Sequence, residues 1–319
     1  MASRTVVTLH ITNGDAVLYL FRKAGILGTP LPWRDVLHEG PVPAELSLDE
    51  LSRLRANYLA VRGYGKPIKV FHDFEARDAV IKRANEFEEV ILWFEHDLYD
   101  QLHILQVLTV LQDLSLDPGR VSLIQSDTYL GSMTADELAA LHPKRRTVTN
   151  ATFTAARRAW DAFRSSDPNA LYTEIGRDVP GLPYLRPALR RLCEEYPWTR
   201  DGLSRSERQA LESVARGPAR EEELFKRAQS HEEAPFLGDS SFYGILADLR
   251  RGPAPLLEIE DGMLVPNALG RRLLAGDADW LEIQPVDRWI GGVHVRPEAI
   301  VRWDDDTSLF KMARRTVDS

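Results

Sequence analysis

The sequence predicts an α/β fold: a mostly parallel, three-layer sheet domain, then a helical connector, then a winged-helix-like α+β domain. Three observations carry this. Over residues 1–131 short β-rich runs alternate with segments of helical spacing, the pattern of strands covered on both faces by crossover helices. Over residues 132–200 the spacing is helical. Over residues 201–277 three helical segments precede two short apolar runs joined by a turn, and a last helix follows, the element order of a winged helix.

Strands are predicted at Val6–Thr12, Ile68–His72, Val90–Phe94 and Val121–Gln125, each rich in β-branched or aromatic residues. Helices are predicted between them, at Ala16–Ala24, Leu48–Val61, Glu75–Glu86 and Tyr99–Leu114. Gly28–Pro43 fits neither period and reads as a short strand near Leu31–Trp33 followed by a long irregular loop. Ala151–Arg164 places Phe153, Ala156, Trp160 and Phe163 at helical spacing, and Asp167-Pro168 stops it. Leu182–Tyr196 is the next helix, with Pro187 either kinking it or marking its first turn. Ser204 and Glu207 form a capping box for a helix that runs to Arg216, before Gly217-Pro218. Helices Glu221–Ala228 and Ser240–Arg251 follow, then strands Leu256–Ile259 and Leu264–Val265 around Glu260-Asp261-Gly262, then a helix at Leu269–Ala275. Residues 278–319 read as an irregular C-terminal tail.

With 319 residues, 44% of them hydrophobic and 28% charged, the chain has material for more than one packed domain. A net charge of -8 disfavours broad non-specific binding to nucleic acid or acidic membranes. No apolar run approaches the roughly 18 to 20 residues of a membrane span. Residues 1–4 lead straight into a strand-like run without the pattern of a signal peptide, and the lone Cys193 reads as a packed core thiol. The expectation is a cytoplasmic protein.

Ligands of open α/β sheets bind where strands end and loops turn into helices, and the unusual polar residues gather at those predicted ends. They are His10-Ile11-Thr12-Asn13-Gly14-Asp15, Trp33-Arg34-Asp35-Val36-Leu37-His38-Glu39-Gly40, His72-Asp73, Glu95-His96-Asp97-Leu98-Tyr99-Asp100-Gln101 and Ser126-Asp127. Asn13 or Thr12 reads as a helix cap, or, with Gly14, as a junction whose free backbone N–H groups hold a phosphate or carboxylate. Asp15 opposes an anion there unless a metal or Arg34 intervenes. Glu95 and His96 stand beside the apolar Trp93 and Phe94, where a charge is costly unless paired, so they read as an internal ion-pair group or as a site. Trp33 and Trp93 form either an aromatic wall or core. Two chemistries suit histidine with carboxylate: a divalent metal on His10, His96 and Asp97, or a carboxylate-oriented histidine base. The nucleophile-elbow, phosphate-loop and His-Glu-x-x-His motifs are absent from the sequence.

Three of these segments, His10 to Asp15, Leu31 to Pro41 and Leu92 to Leu102, resemble the bacterial family named domain of unknown function 1835. Gly202 to Gln209 and Phe236 to Asp239 resemble its usual C-terminal companion. The resemblance implies an architecture and a motif set and no reaction. It groups the three N-terminal motifs as one site.

The expected function is an enzyme of hydrolase or transferase type acting on a small anionic or phosphorylated molecule at the carboxyl edge of the sheet. Glu95, His96, Asp97 and His10 are the candidate catalytic residues. Asn13, Gly14, Asp15, Trp33, Arg34, Asp35, His38, Glu39, Asp100 and Gln101 are the candidate ligand-binding residues. One rival is a regulator whose winged helix contacts nucleic acid, disfavoured because residues 202–276 carry ten Arg and Lys against twelve Asp and Glu. The other is a scaffold whose motif residues pair internally and bind nothing.

Overall fold

The computed structural model describes residues 7–313; the predicted strand start at Val6 and the leader reading of residues 1–4 lie outside them. In the first domain the chain order is β1 (Thr8–Thr12), α1 (Leu18–Lys23), β2 (Thr29–Pro32), β3 (Gly40–Pro41), α2 (Leu48–Val61) and α3 (Pro67–Ile81). It continues through β4 (Glu89–Glu95), α4 (Leu98–Asp113), β5 (Val121–Ser126), α5 (Ala135–Leu141) and β6 (Arg146–Thr147). The main sheet has the order β2-β1-β4-β5-β6, parallel except for the two-residue β6.

Side-chain alternation divides that sheet into two buried faces. Leu9, Ile11, Val90, Leu92 and Phe94 enter one core with α4, while Ile91, Trp93 and Ile124 enter the other with Val17, Phe21 and Leu138 of the α1 and α5 side. Helix α4 is buried nearly all round because it is covered twice. It lies between the sheet and two helices of the connector, α6 (Asn150–Arg164) and α8 (Leu185–Cys193), with α7 (Pro168–Ile175) between them in sequence. Each fully buried leucine there, such as Leu102 or Leu105, contributes about 1.5–3 kcal/mol. Pro187 falls in the first turn of α8, where its missing N–H costs nothing, and Cys193 is buried in the core.

The second region is α+β. Helices α9 (Arg205–Ala215), α10 (Glu221–Gln229) and α11 (Asp239–Asp248) precede the antiparallel pair β7 (Leu257–Glu260) and β8 (Met263–Pro266), and α12 (Ala268–Ala275) follows. These elements share a core of their own around Leu211, Phe242, Leu246 and Leu273. Ser204 and Glu207 make the expected capping box on α9. No helix among the described residues is long and apolar enough to cross a membrane.

Two expectations are overturned. Ile68–His72 is not a strand but the opening of α3, with Pro67 at its first position. Its buried residues Val70, Phe74, Arg77, Asp78 and Ile81 follow the helical period, and His72 stands exposed on the helix. Residues 278–319 are not irregular as far as they are described. They form β9 (Arg288–Gly291), β10 (Val293–Val295), β11 (Ile300–Asp304) and β12 (Leu309–Ala313). Strand β9 joins β10 and the distant β3 in a small sheet, and Ile290, Val293, Val295 and Trp303 enter the same core as α4. Gly291 and Gly292 allow this approach, since a side chain at either would collide with the carbonyls of Phe163 and Arg164.

Candidate functional site

The chain leaves β1 for β2 on one side and returns to β4 on the other. The carboxyl ends of β1 and β4 therefore flank the point where strand order reverses, the usual ligand crevice of an open parallel sheet. Glu95 ends β4, Asp97 caps α4 and Asp100 lies in its first turn. The strand end and the helix start bring three carboxyl groups together, with one oxygen from each lying within 4.8 Å of the others.

Every member is buried and fixed. Asp97 accepts from the Asp100 N–H at 3.1 Å, Glu95 from the Leu130 N–H at 2.9 Å, and Asp100 from the Asn13 side chain at 2.9 Å and the Glu95 N–H. The Gln101 side chain donates to the Glu95 carbonyl at 2.8 Å, and its own buried carbonyl oxygen has no partner. Burial raises all three carboxyl groups: Asp97 to about 6, Glu95 to about 8, and Asp100 well above the ordinary range, where Asp97 and Glu95 add to the effect. Clustered buried carboxylates are stable only with protons or a cation between them. All the donors are carboxylate or amide oxygens, the ligand set of Mg²⁺, Ca²⁺ or Mn²⁺ rather than of zinc.

The structure moves the candidate metal set from His10, His96 and Asp97 to Glu95, Asp97 and Asp100. His10 lies two residues inside the strand, opposite Ile91, and both ring nitrogens are engaged: Nε2 donates to the Leu27 carbonyl at 3.1 Å and Nδ1 accepts from the Trp93 indole at 3.1 Å. Burial lowers its pKa, so it is a neutral core histidine with no lone pair to spare. His96, half-buried, meets Tyr184 edge-on at 5.8 Å, and its buried Nδ1 has no partner.

The remaining candidates separate into three groups. Asn13 joins the triad through Asp100 and caps no helix, since α1 begins only at Leu18 and has no side-chain cap. The helix expected to open directly after Asn13-Gly14 starts only at Leu18, and the Gly14 carbonyl accepts from the Thr12 hydroxyl at 2.8 Å. At the rim Arg34 grips exposed Asp15 through two bonds of 2.7 and 2.6 Å, with Asp73 at 3.8 Å, and so is not free to pair with an anion. Below the rim, Trp33 is core: its indole donates to Gln106 at 2.6 Å and Arg77 stacks on its ring. Trp93 is also fully buried, so no aromatic wall forms. Asp35 makes a fully buried ion pair with Arg55 at 2.9 Å, and its carbonyl accepts from His103 at 2.6 Å.

His38 and Glu39 face a different space. Glu39 accepts from Tyr64 at 2.7 Å and Tyr58 at 3.4 Å, and Tyr64 also bonds Ser241 of α11 at 2.7 Å. Sequence reasoning missed Arg55, Tyr64 and His103. A signal existed for Arg55, which shares the helix face of Leu51, Ala56 and Leu59. None existed for the pairing of Tyr64 with Ser241, 177 residues away.

No protein-family model and no curated protein matches the chain.

Proposed function

We propose that the chain is a divalent-cation-dependent enzyme, of hydrolase or transferase type, acting on a small anionic or phosphorylated substrate at the carboxyl edge of the main sheet. The observation that carries this is the carboxyl triad of Glu95, Asp97 and Asp100 at the junction of β1 and β4. Glu95, Asp97 and Asp100 would hold the cation, with Asn13 and Gln101 fixing the carboxyl groups and the backbone around them. A cation is needed on electrostatic grounds, because three carboxyl groups repel an anion and Arg34 is committed to Asp15. A bound divalent ion supplies charge neutralisation and an activated water.

The three N-terminal motifs support membership of the domain of unknown function 1835 family, and the order of α9 to α12 supports a winged helix as the companion. A cytoplasmic location is part of this proposal. Packing of α11 supports the enzyme over the regulator. The first domain holds this helix through Tyr64 on Ser241 and Arg62 on Asp248 at 3.0 Å, and a helix so held is not free to enter a DNA groove.

The test is metal analysis of protein purified without chelator, followed by a screen of phosphomonoesters and phosphodiesters with Mg²⁺, with Mn²⁺ and with chelator. Turnover that needs the cation and disappears in Asp97→Asn is expected. Turnover unaffected by chelator, or no cation retained or taken up, would overturn the reading.

A further inference from the structure

A cavity of about 700 Å³ lies where the first domain, α11 and the C-terminal strands meet, within the roughly 300–1,000 Å³ of small-molecule sites. It is built from segments far apart in sequence, including His38 and Glu39, Ser241 and Trp289. Five carboxylates and three guanidiniums line it, and most neutralise one another: Arg62 pairs with Asp248, Arg288 with Glu207, and Glu195 with Arg191 outside the cavity.

Asp287 pairs with His294 instead, and Glu39 is the half-buried carboxylate without a guanidinium. Among the described residues no Arg or Lys forms an ion pair with it, and its partners are the hydroxyls of Tyr64 and Tyr58. Its side chain keeps 18% of its surface. Burial alone would raise its carboxyl, but His38, Ser241 and Tyr64 outweigh it and hold it at about 2. Next to it His38 is 5% exposed with neither ring nitrogen hydrogen-bonded; Glu39 Oε1 stands 3.6 Å from Nε2, beyond bonding distance. A buried imidazole without hydrogen-bond partners stands beside a carboxylate that only phenol hydroxyls hold, so hydrogen-bonding capacity is left unused there. An anion would be repelled by Glu39, whereas an ammonium group supplies the cation that Glu39 lacks and an N–H donor for the unprotonated nitrogen of His38.

We propose that this cavity binds a small organic amine, its ammonium held by Glu39 with His38 as second acceptor and its carbon skeleton against Tyr58 and Trp289. Aromatic faces beside a bound cation add to such recognition. No residue of the carboxyl triad lines this cavity, and the proposal does not rest on the cation reading, although His38 lies close enough to act on Asp97.

The experiment is calorimetric titration of the intact chain, in chelator, with ethanolamine, glucosamine, tyramine and butylamine, each beside its N-acetylated counterpart. At least one amine is expected to bind, with acetylation weakening it by about tenfold or more, the loss that follows when a charged hydrogen bond is removed. Glu39→Gln is expected to weaken the same amine to a similar extent, and Tyr64→Phe to weaken it less. If Glu39→Gln does not fold, the comparison of each amine with its acetylated form on the wild-type chain decides alone. Binding by none of the four amines, or equal binding of amine and acetylated forms, would overturn the proposal.

Discussion

Replacing Asp97 by Asn should make the cation-free protein more stable, although Asp97 is buried and caps a helix. Asn caps as well as Asp does, so the bond from the Asp100 N–H is kept while one charge is removed. Burial sets the size of the effect. A carboxyl raised from 3.8 to about 6 stores about 3 kcal/mol. Because native Asp97 keeps its proton to higher pH than the unfolded chain does, the native state binds more protons between 3.8 and about 6, and stability falls as pH rises across that interval. The advantage of Asp97→Asn is therefore largest above pH 6 and closes towards pH 3.8. Denaturant unfolding in chelator, at pH 8 and at successively lower pH, measures it. Adding Mg²⁺ or Mn²⁺ at 100 times Kd should then return about 2.7 kcal/mol to the wild type alone. A variant less stable than the wild type at pH 8, or a difference that does not change with pH, would refute the reasoning.

Further outcomes follow from the same contacts. His10→Ala should leave cation affinity unchanged within about twofold but cost about 2–5 kcal/mol, because it strands the Trp93 indole and the Leu27 carbonyl and opens a cavity; a loss of cation binding without loss of stability would restore His10 to the site. Burial holds His103 neutral, its pKa lowered from 6.5 to about 4, so the unfolded state takes up the proton first and stability is lost as pH falls from 6.5 to about 4, by about 3 kcal/mol. His103→Gln should flatten that acid limb relative to the wild type, as read by unfolding curves. Gel-shift assays in low salt should show no sequence-dependent DNA complex, since Arg62 and Tyr64 hold α11; a tight specific complex would favour the regulator.

The parts of the fold legible in the sequence are those set by local periodicity. Val90–Phe94 is legible as a parallel strand because both its faces are covered, which makes the run continuously apolar, and Val121–Gln125 because Val121, Leu123 and Ile124 are apolar and buried. The same rule misreads Ile68–His72, where Val70 and Phe74 stand one helical turn apart and Pro67 signals a helix start. The strands after Arg288 escape a local reading because β9 finds its partner at Gly40–Pro41, some 250 residues earlier. In the site, the motif around Glu95 to Gln101 is legible because a strand end and a helix start adjoin in sequence. Which of its residues converge depends on rotation about the α4 axis: Asp97 and Asp100, three apart, share the face turned to Glu95, and His96 points elsewhere, to Tyr184. His10 misleads by its depth along the strand: it shares a face with Thr12 but sits two residues short of the strand end.

The most direct measurement is the anomalous difference density of a crystal soaked in Mn²⁺. One peak is expected at about 2.0–2.6 Å from carboxylate oxygens of Glu95, Asp97 and Asp100, lost in Asp97→Asn crystals. Density absent there, or placed on His10 and His96 instead, would contradict it.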